Sequence, residues 1–195
     1  MANLITLEDY KNAEGIQSTK DDTRVASLIT SVSALVKTYC NNTIVDHYSA
    51  NKTETFSINY SASSVQLTES PVNSIVSVKE RTGISSAYTT LVANTDYYLD
   101  TLTDSIFRSN SGTGYKNFPE GPGSVEVVYT AGWSECPSDL QLAVIDLITY
   151  YVKDEHKARQ TMQGASIQNS TTSSQRNNVA FPDHIKRVLD LYKNY

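Results

Sequence analysis

Two changes of hydrophobic period constrain this chain more than any single motif. Over "DDTRVASLITSVSALVKTYC" the residues Val25, Leu28, Ile29, Val32, Leu35, Val36 and Tyr39 recur at helical spacing. They share one face of a helix over roughly residues 20–41. From Asn42 to Thr130 that period is lost. Short β-branched or aromatic runs replace it, among them "TETFSINY", "SSVQLTE", "NSIVSVKE", "YTTLVA", "DYYLD", "SIFRS" and "SVEVVYT", parted by Ser, Asn, Gly and Pro. Such spacing predicts antiparallel strands. After Thr130 the helical period returns, with Leu140, Ala143, Val144, Leu147, Ile148, Tyr151 and Val152 in one stripe. A chain that segregates helix from strand in this way is α+β rather than α/β. The expected architecture is a helical bundle with an inserted antiparallel β lobe, a sandwich or a small barrel.

The boundaries follow from the same pattern. Residues 1–41 and 131–160 are expected to form the helical core, and 42–130 the inserted β lobe. Residues 161–180, "TMQGASIQNSTTSSQRNNVA", are polar and poor in apolar anchors, the composition of a flexible linker. Residues 181–195 read as a C-terminal helix. Local signals refine this plan. Thr6 with Asp9 three residues on can cap a short first helix, which Gly15 can end. Ser138 with Gln141 predicts a second capping box, with Pro137 just ahead of it. "GTGYKNFPEGPG" at 112–123 reads as a loop.

Three groups of residues are candidates for contacts. Leu142, Ile145 and Tyr150 form a second stripe on the helix after residue 138, and a helix apolar on two sides needs two partners. The second partner is either the inserted sheet or another subunit. Gly132, Trp133 and Pro137 sit where strand gives way to helix and read as the hinge between lobes. The C-terminal helix opens at Phe181-Pro182 and aligns Ile185, Val188, Leu189 and Tyr192 on one face, with Lys186, Arg187 and Lys193 on the other. A short amphipathic helix on a polar tether either docks on a partner or closes its own bundle.

No catalytic constellation emerges. Gly132-Trp133-Ser134-Glu135-Cys136 falls one residue short of a G-x-S-x-G elbow, and Cys136-Pro137 separates the serine from the helix that an elbow requires at once. Cys136 and His156 lie twenty residues apart along one expected helix, about 30 Å. Asp154, Glu155 and His156 are sequence neighbours and do not share a helical face. Gly112 and Gly114 lack the following helix of a phosphate cradle. Neither a cofactor nor a metal is expected. Cys40 and Cys136 read as free, buried thiols. The formal net charge is −5, which lacks the basic footprint of a nucleic-acid binder. The apolar region Leu140 to Val152 is too short to span a membrane.

The order of parts resembles the head–tail connector (adaptor) family of tailed bacteriophages. The resemblance rests on "ITLEDYKNAEGI", on "LITSVSALVKTYCNN", and on "LTESPVNSIVSVKE". It rests above all on "VEVVYTAGWSECPSDLQLAVIDLITYYVKDEHKAR", where a Y-T-A-G-W turn leads through Pro137 into a long helix, and it closes with "FPDHIKRVLDLYKNY". The stretch 81–123 departs from the family. The resemblance implies a non-enzymatic virion protein that is assembled in the host cytoplasm and sits in the neck. It further implies a ring of usually twelve subunits on the portal protein. Such a ring extends the channel for passing double-stranded DNA and offers a platform to tail, stopper or neck proteins. Carried onto this chain, the portal contact falls on 161–195, with Phe181, Ile185, Lys186, Val188, Leu189 and Tyr192 as candidates. The subunit contact falls on Leu142, Ile145 and Tyr150. The alternative is a protein- or glycan-binding module for neck-fibre attachment that uses the tyrosines of the β lobe without forming a ring.

Overall fold

A computed structural model describes residues 1–153 and 181–194. The expected linker at 161–180, the helix extension to residue 160 and the cluster Asp154, Glu155 and His156 lie outside the described residues. The chain divides into two units: Met1–Cys40 with Cys136–Lys193, and Asn41–Glu135 with the chain end.

In the first unit, helix α1 spans Leu7–Glu14 and α2 spans Asp22–Cys40. Helix α3 spans Ser138–Val152 and α4 spans Asp183–Leu191. The Thr6 side chain accepts from the backbone N–H of Asp9, the Asp9 carboxylate accepts from the N–H of Thr6, and Gly15 closes α1 in the left-handed region at φ 66°. Val25, Ile29, Val32 and Val36 of the expected α2 stripe are buried, Leu28, Leu35 and Tyr39 of it are half-buried, and Cys40, outside it, is buried as well. Leu140, Ala143, Val144, Leu147 and Ile148 of α3 are buried too, as are Ile185 and Leu189 of α4. Each fully buried Leu, Ile or Val contributes about 1.5–3 kcal/mol, so three short helices cohere through these stripes and not through propensity alone. The irregular segment ahead of α1 is tied down: Leu4 N–H donates to Ser33 Oγ, and buried Lys37 donates through Nζ to the carbonyl of Ala2.

One local expectation fails. Pro137, not Ser138, occupies the N-cap of α3, and no side chain caps it. Proline's fixed φ leaves it poised at the helix entry, so Ser138 becomes the first helical residue and its hydroxyl is no longer placed to cap. Pro182 holds the same position ahead of α4.

In the second unit the named strands all pair antiparallel. Strands β1 (Lys52–Ile58), β7 (Gly121–Ala131), β3 (Val72–Glu80) and β4 (Thr89–Thr90) form one sheet in that order. Strands β2 (Ser64–Gln66), β6 (Ser105–Arg108) and β5 (Tyr97–Asp100) form a second. Ile58, Val78, Val125, Val127 and Tyr129 of the first sheet share one core with Val65, Tyr97 and Ile106 of the second. The unit is therefore two sheets around a common core, and no closed barrel forms. The expected loop at 112–123 is shortened, because β7 begins at Gly121, which pairs with Ile58. Strand pairing there overrides the local Gly-Pro-Gly turn signal.

Candidate functional site

The candidate surfaces can now be built residue by residue. On α3, Leu140, Ala143, Val144, Leu147 and Ile148 point into the bundle, which turns Leu142 outward. Leu142 is 61% exposed, and Ile145 and Tyr150 are half-buried. Tyr150 meets Tyr151 edge-on at 5.7 Å. Leu142 and Ile145 thus lie three apart on the outward side of a helix whose other side is fully occupied.

Helix α4 is placed differently. Phe181, Ile185 and Leu189 are buried, and Phe181 sets its ring edge-on against Tyr39 of α2 at 5.1 Å. The Tyr192 hydroxyl donates to Asp139 Oδ1 at 2.6 Å, and the Tyr39 hydroxyl donates to Asp190 Oδ1 at 2.6 Å. Burial, followed by the Asp139 carboxylate, raises the Tyr192 phenol above its ordinary range. Lys186 and Val188 are half-buried, and Arg187, Asp190 and Leu191 are exposed. The apolar stripe of α4 therefore closes the chain's own bundle, and its polar face remains open.

At the joint after β7, Gly132 is buried with φ +91°. Its N–H donates to the Pro71 carbonyl, its carbonyl accepts from Asn73 Nδ2, and the N–H of Trp133 donates to the Ile44 carbonyl, each at 2.8 Å. Ser134 and Glu135 are exposed, and Cys136 is buried. Cys40 and Cys136 are both free thiols that burial pushes up to about 12. A thiol so raised carries little thiolate at neutral pH and makes a poor nucleophile.

The sequence reading missed the charged framework of the β unit. Arg108, only 4% exposed, meets Glu80 through two parallel bonds of 2.9 Å and donates through Nη1 to the carbonyls of Asp96 and Ser109. Hydrogen bonding to Glu80 raises its already high pKa. A second cluster joins Lys52 to Glu54 at 2.8 Å and to Glu69 at 2.9 Å. The Tyr129 hydroxyl donates to Glu54 Oε1 and accepts from the N–H of Glu69. Thr68 Oγ1 also donates to Glu54. Burial acts to raise the Glu54 carboxyl, but bonds from Lys52 and Thr68 outweigh it and hold it below its ordinary range. Burial likewise acts to lower Lys52, and the two carboxylates outweigh it. No period or motif signals these clusters, since Arg108 and Glu80 lie on different strands and Glu69 reaches Lys52 of β1 from outside any strand. Among the described residues no group of three His, Cys, Asp or Glu is arranged to hold a metal, and no helix is long and apolar enough to cross a membrane.

What these surfaces belong to is given by comparison. Residues 3–195 match the family described as head completion protein. A curated relative, the head completion protein of Escherichia phage T5, is 30% identical over 78 residues, or 40% of this chain. That match spans 42% of the relative's length. Among solved structures, the chain resembles one in the neck of an empty gene transfer agent particle computed with C6 symmetry. There the TM-score is 0.61 at 16% identity, over 98% of this chain and 90% of that one. A second, in the neck of the native particle computed with C12 symmetry, gives 0.57 at 18% identity over 100% and 96% of the two chains. At such identities the likeness speaks to the fold, whose arrangement of helices and antiparallel sheets is the one built above. The family match, covering nearly the whole chain, carries the assignment: this chain belongs to the head completion protein family.

Proposed function

We propose that this protein is a non-enzymatic head–tail adaptor that assembles as a ring on a phage portal and sits in the neck of the virion. Membership of the head completion protein family carries the structural role. The ring is supported by an observation on the chain itself: among the described residues α3 leaves Leu142 exposed and Ile145 half-buried on the side away from the bundle. An apolar side left over once a fold is complete is the usual mark of a subunit contact. In the proposed ring these residues, with Tyr150, meet the neighbouring copy. The fold neighbours come from particle necks computed with C6 and C12 symmetry, which makes twelve copies the order to test first.

Since Phe181, Ile185 and Leu189 are spent inside the bundle, a portal contact by α4 uses Lys186, Arg187 and its other polar positions, or requires the helix to leave its groove. Gly132, Trp133 and Pro137 serve in this reading as the joint between sheet and helix. Passing double-stranded DNA meets a chain of net charge −5, which repels phosphate and lets it slide. Mixing the full chain with purified portal, followed by negative-stain imaging, tests the reading. Rings seated on portal are expected. A chain that neither binds portal nor forms rings overturns it.

A further inference from the structure

The outward face of the three-stranded sheet carries a line of aromatic rings. Tyr98 of β5 lies directly opposite Phe107 of β6, and opposed side chains on an antiparallel pair sit within about 5.5 Å. Phe107 in turn meets Tyr115 at 5.9 Å with the rings tilted by 53°. Tyr98 is 57% exposed and Tyr115 is 77% exposed. Together with Asp100, Arg108, Ser109 and Gly114 they line an open cleft of about 390 Å³. A row of solvent-facing rings on a rigid sheet is an energetic liability unless something covers it.

The electrostatics of the unit select the occupant. Residues 41–135 hold five Lys and Arg against ten Asp and Glu, while the rest of the chain holds eleven of each. The whole net charge thus resides in this unit. Four of its five bases are engaged. Lys52 pairs with Glu54 and Glu69, Lys79 with Glu126, and Arg108 with Glu80. Arg81 donates to the Gly123 and Ile84 carbonyls beneath Tyr88. The fifth, Lys116, is not among the residues that line the cleft. Within the cleft Arg108 is buried and neutralised, so the charge presented there is the carboxylate of Asp100. That carboxylate accepts from the Leu102 N–H and the Thr103 hydroxyl, and an ionised carboxylate has lone pairs left for a further donor. Phosphate-bearing ligands are repelled by such a site. A guanidinium or ammonium is drawn to it, because ring faces and a carboxylate both attract cations.

We propose that the Tyr98–Phe107–Tyr115 strip with Asp100 is a docking platform for an arginine- or lysine-bearing segment of another protein of the particle. The cation lies over the tyrosine faces and its N–H groups donate to Asp100. This inference does not depend on the ring. It concerns a face of the β unit, whereas the proposed ring contact uses α3.

The test titrates the full chain, with its aromatic rings observed by NMR, against the capped peptide Gly-Arg-Gly-Arg-Gly. Parallel titrations use the Glu counterpart, cellohexaose and a deoxythymidine decamer. Saturable shifts confined to Tyr98, Phe107 and Tyr115 are expected with the arginine peptide alone. Tyr115→Ala and Asp100→Asn are each expected to weaken it about fivefold, the scale of an exposed cation–π contact. Tyr115→Phe keeps the ring and should keep binding. Tyr60→Ala, which removes an exposed tyrosine outside the cleft, should change nothing. Equal binding of the glutamate peptide, preferential binding of the sugar or the DNA, or no response to the arginine peptide would each overturn the proposal. Portal-bound rings formed by Tyr115→Ala would show that the adaptor reading stands or falls separately.

Discussion

A Cβ placed on Gly132 would lie 2.2 Å from the carbonyl oxygen of Ile44, and that oxygen already accepts the N–H of Trp133. The residue is also held at φ +91°, where an L side chain is strained. Backbone cannot swing aside as a flexible side chain does. Gly132→Ala is therefore expected to cost at least about 3 kcal/mol, read as a fall in the urea midpoint and in Tm. A variant of unchanged stability would mean that this turn is looser than its hydrogen bonds imply.

The Arg108–Glu80 pair gives a second expectation. Removing one member of a buried, bidentate ion pair strands the other, at about 3–5 kcal/mol. Arg108→Met should approach that loss, because two carbonyls lose their donor as well. Glu80→Gln, which keeps one acceptor for the guanidinium, should lose clearly less. Chemical denaturation of the two variants checks the ranking, and equal losses would contradict it.

The Lys52–Glu54–Glu69 cluster predicts the shape of the stability–pH curve. Glu54 is held below its ordinary 4.5, so its contribution is complete above that pH and is lost as pH falls through the lowered folded value. Lys52 is held above its ordinary 10.5, so its contribution is complete below that pH and is lost as pH rises through the raised value. Glu54→Gln should flatten part of the acid limb measured by denaturation from pH 3 to 6 relative to the parent chain. An unaltered acid limb would place the lost protons elsewhere.

Leu142 separates assembly from folding. Its side chain is 61% exposed, so Leu142→Lys should change stability by no more than about 0.5 kcal/mol. If α3 meets a neighbouring copy, the same variant should fail to form rings with portal. Normal rings would remove Leu142 from the subunit contact.

How much of this was written in the sequence depends on the range of the interaction. The stripe of α2 and the Thr6–Asp9 capping box are local, and both were legible from spacing alone. The start of α3 was misread by one residue, because a Ser-x-x-Gln signal says nothing of the proline that takes the cap. The start of β7 was misread as loop, because Gly-Pro-Gly signals a turn until a partner strand claims it. Arg108 and Glu80 are 28 residues apart, and the aromatic line depends on the register of β5 against β6. Neither follows from a one-dimensional period. The partial burial of Tyr150 and the inward face of α4 were likewise decided by packing, which the stripes left open.

The position of β7 bears on when the protein can form. Lys52 waits for Tyr129 and Val72 waits for Ala131, so neither flanking strand has its central partner until the chain is two thirds made. Helix α2 waits just as long for α3, the element that follows β7 by a few residues. One short passage of synthesis, from Gly121 to Val152, therefore supplies the central strand of one unit and the α3 partner of α2 in the other, while α4 follows later to close the bundle. Until that passage emerges from the ribosome, β1 lacks its strand partner, β3 has only the two-residue β4 beside it, and the apolar face of α2 lacks α3. Long-range closures of this kind slow folding and expose sticky surface. Stable folding of the β unit is thus not expected before β7 has been made.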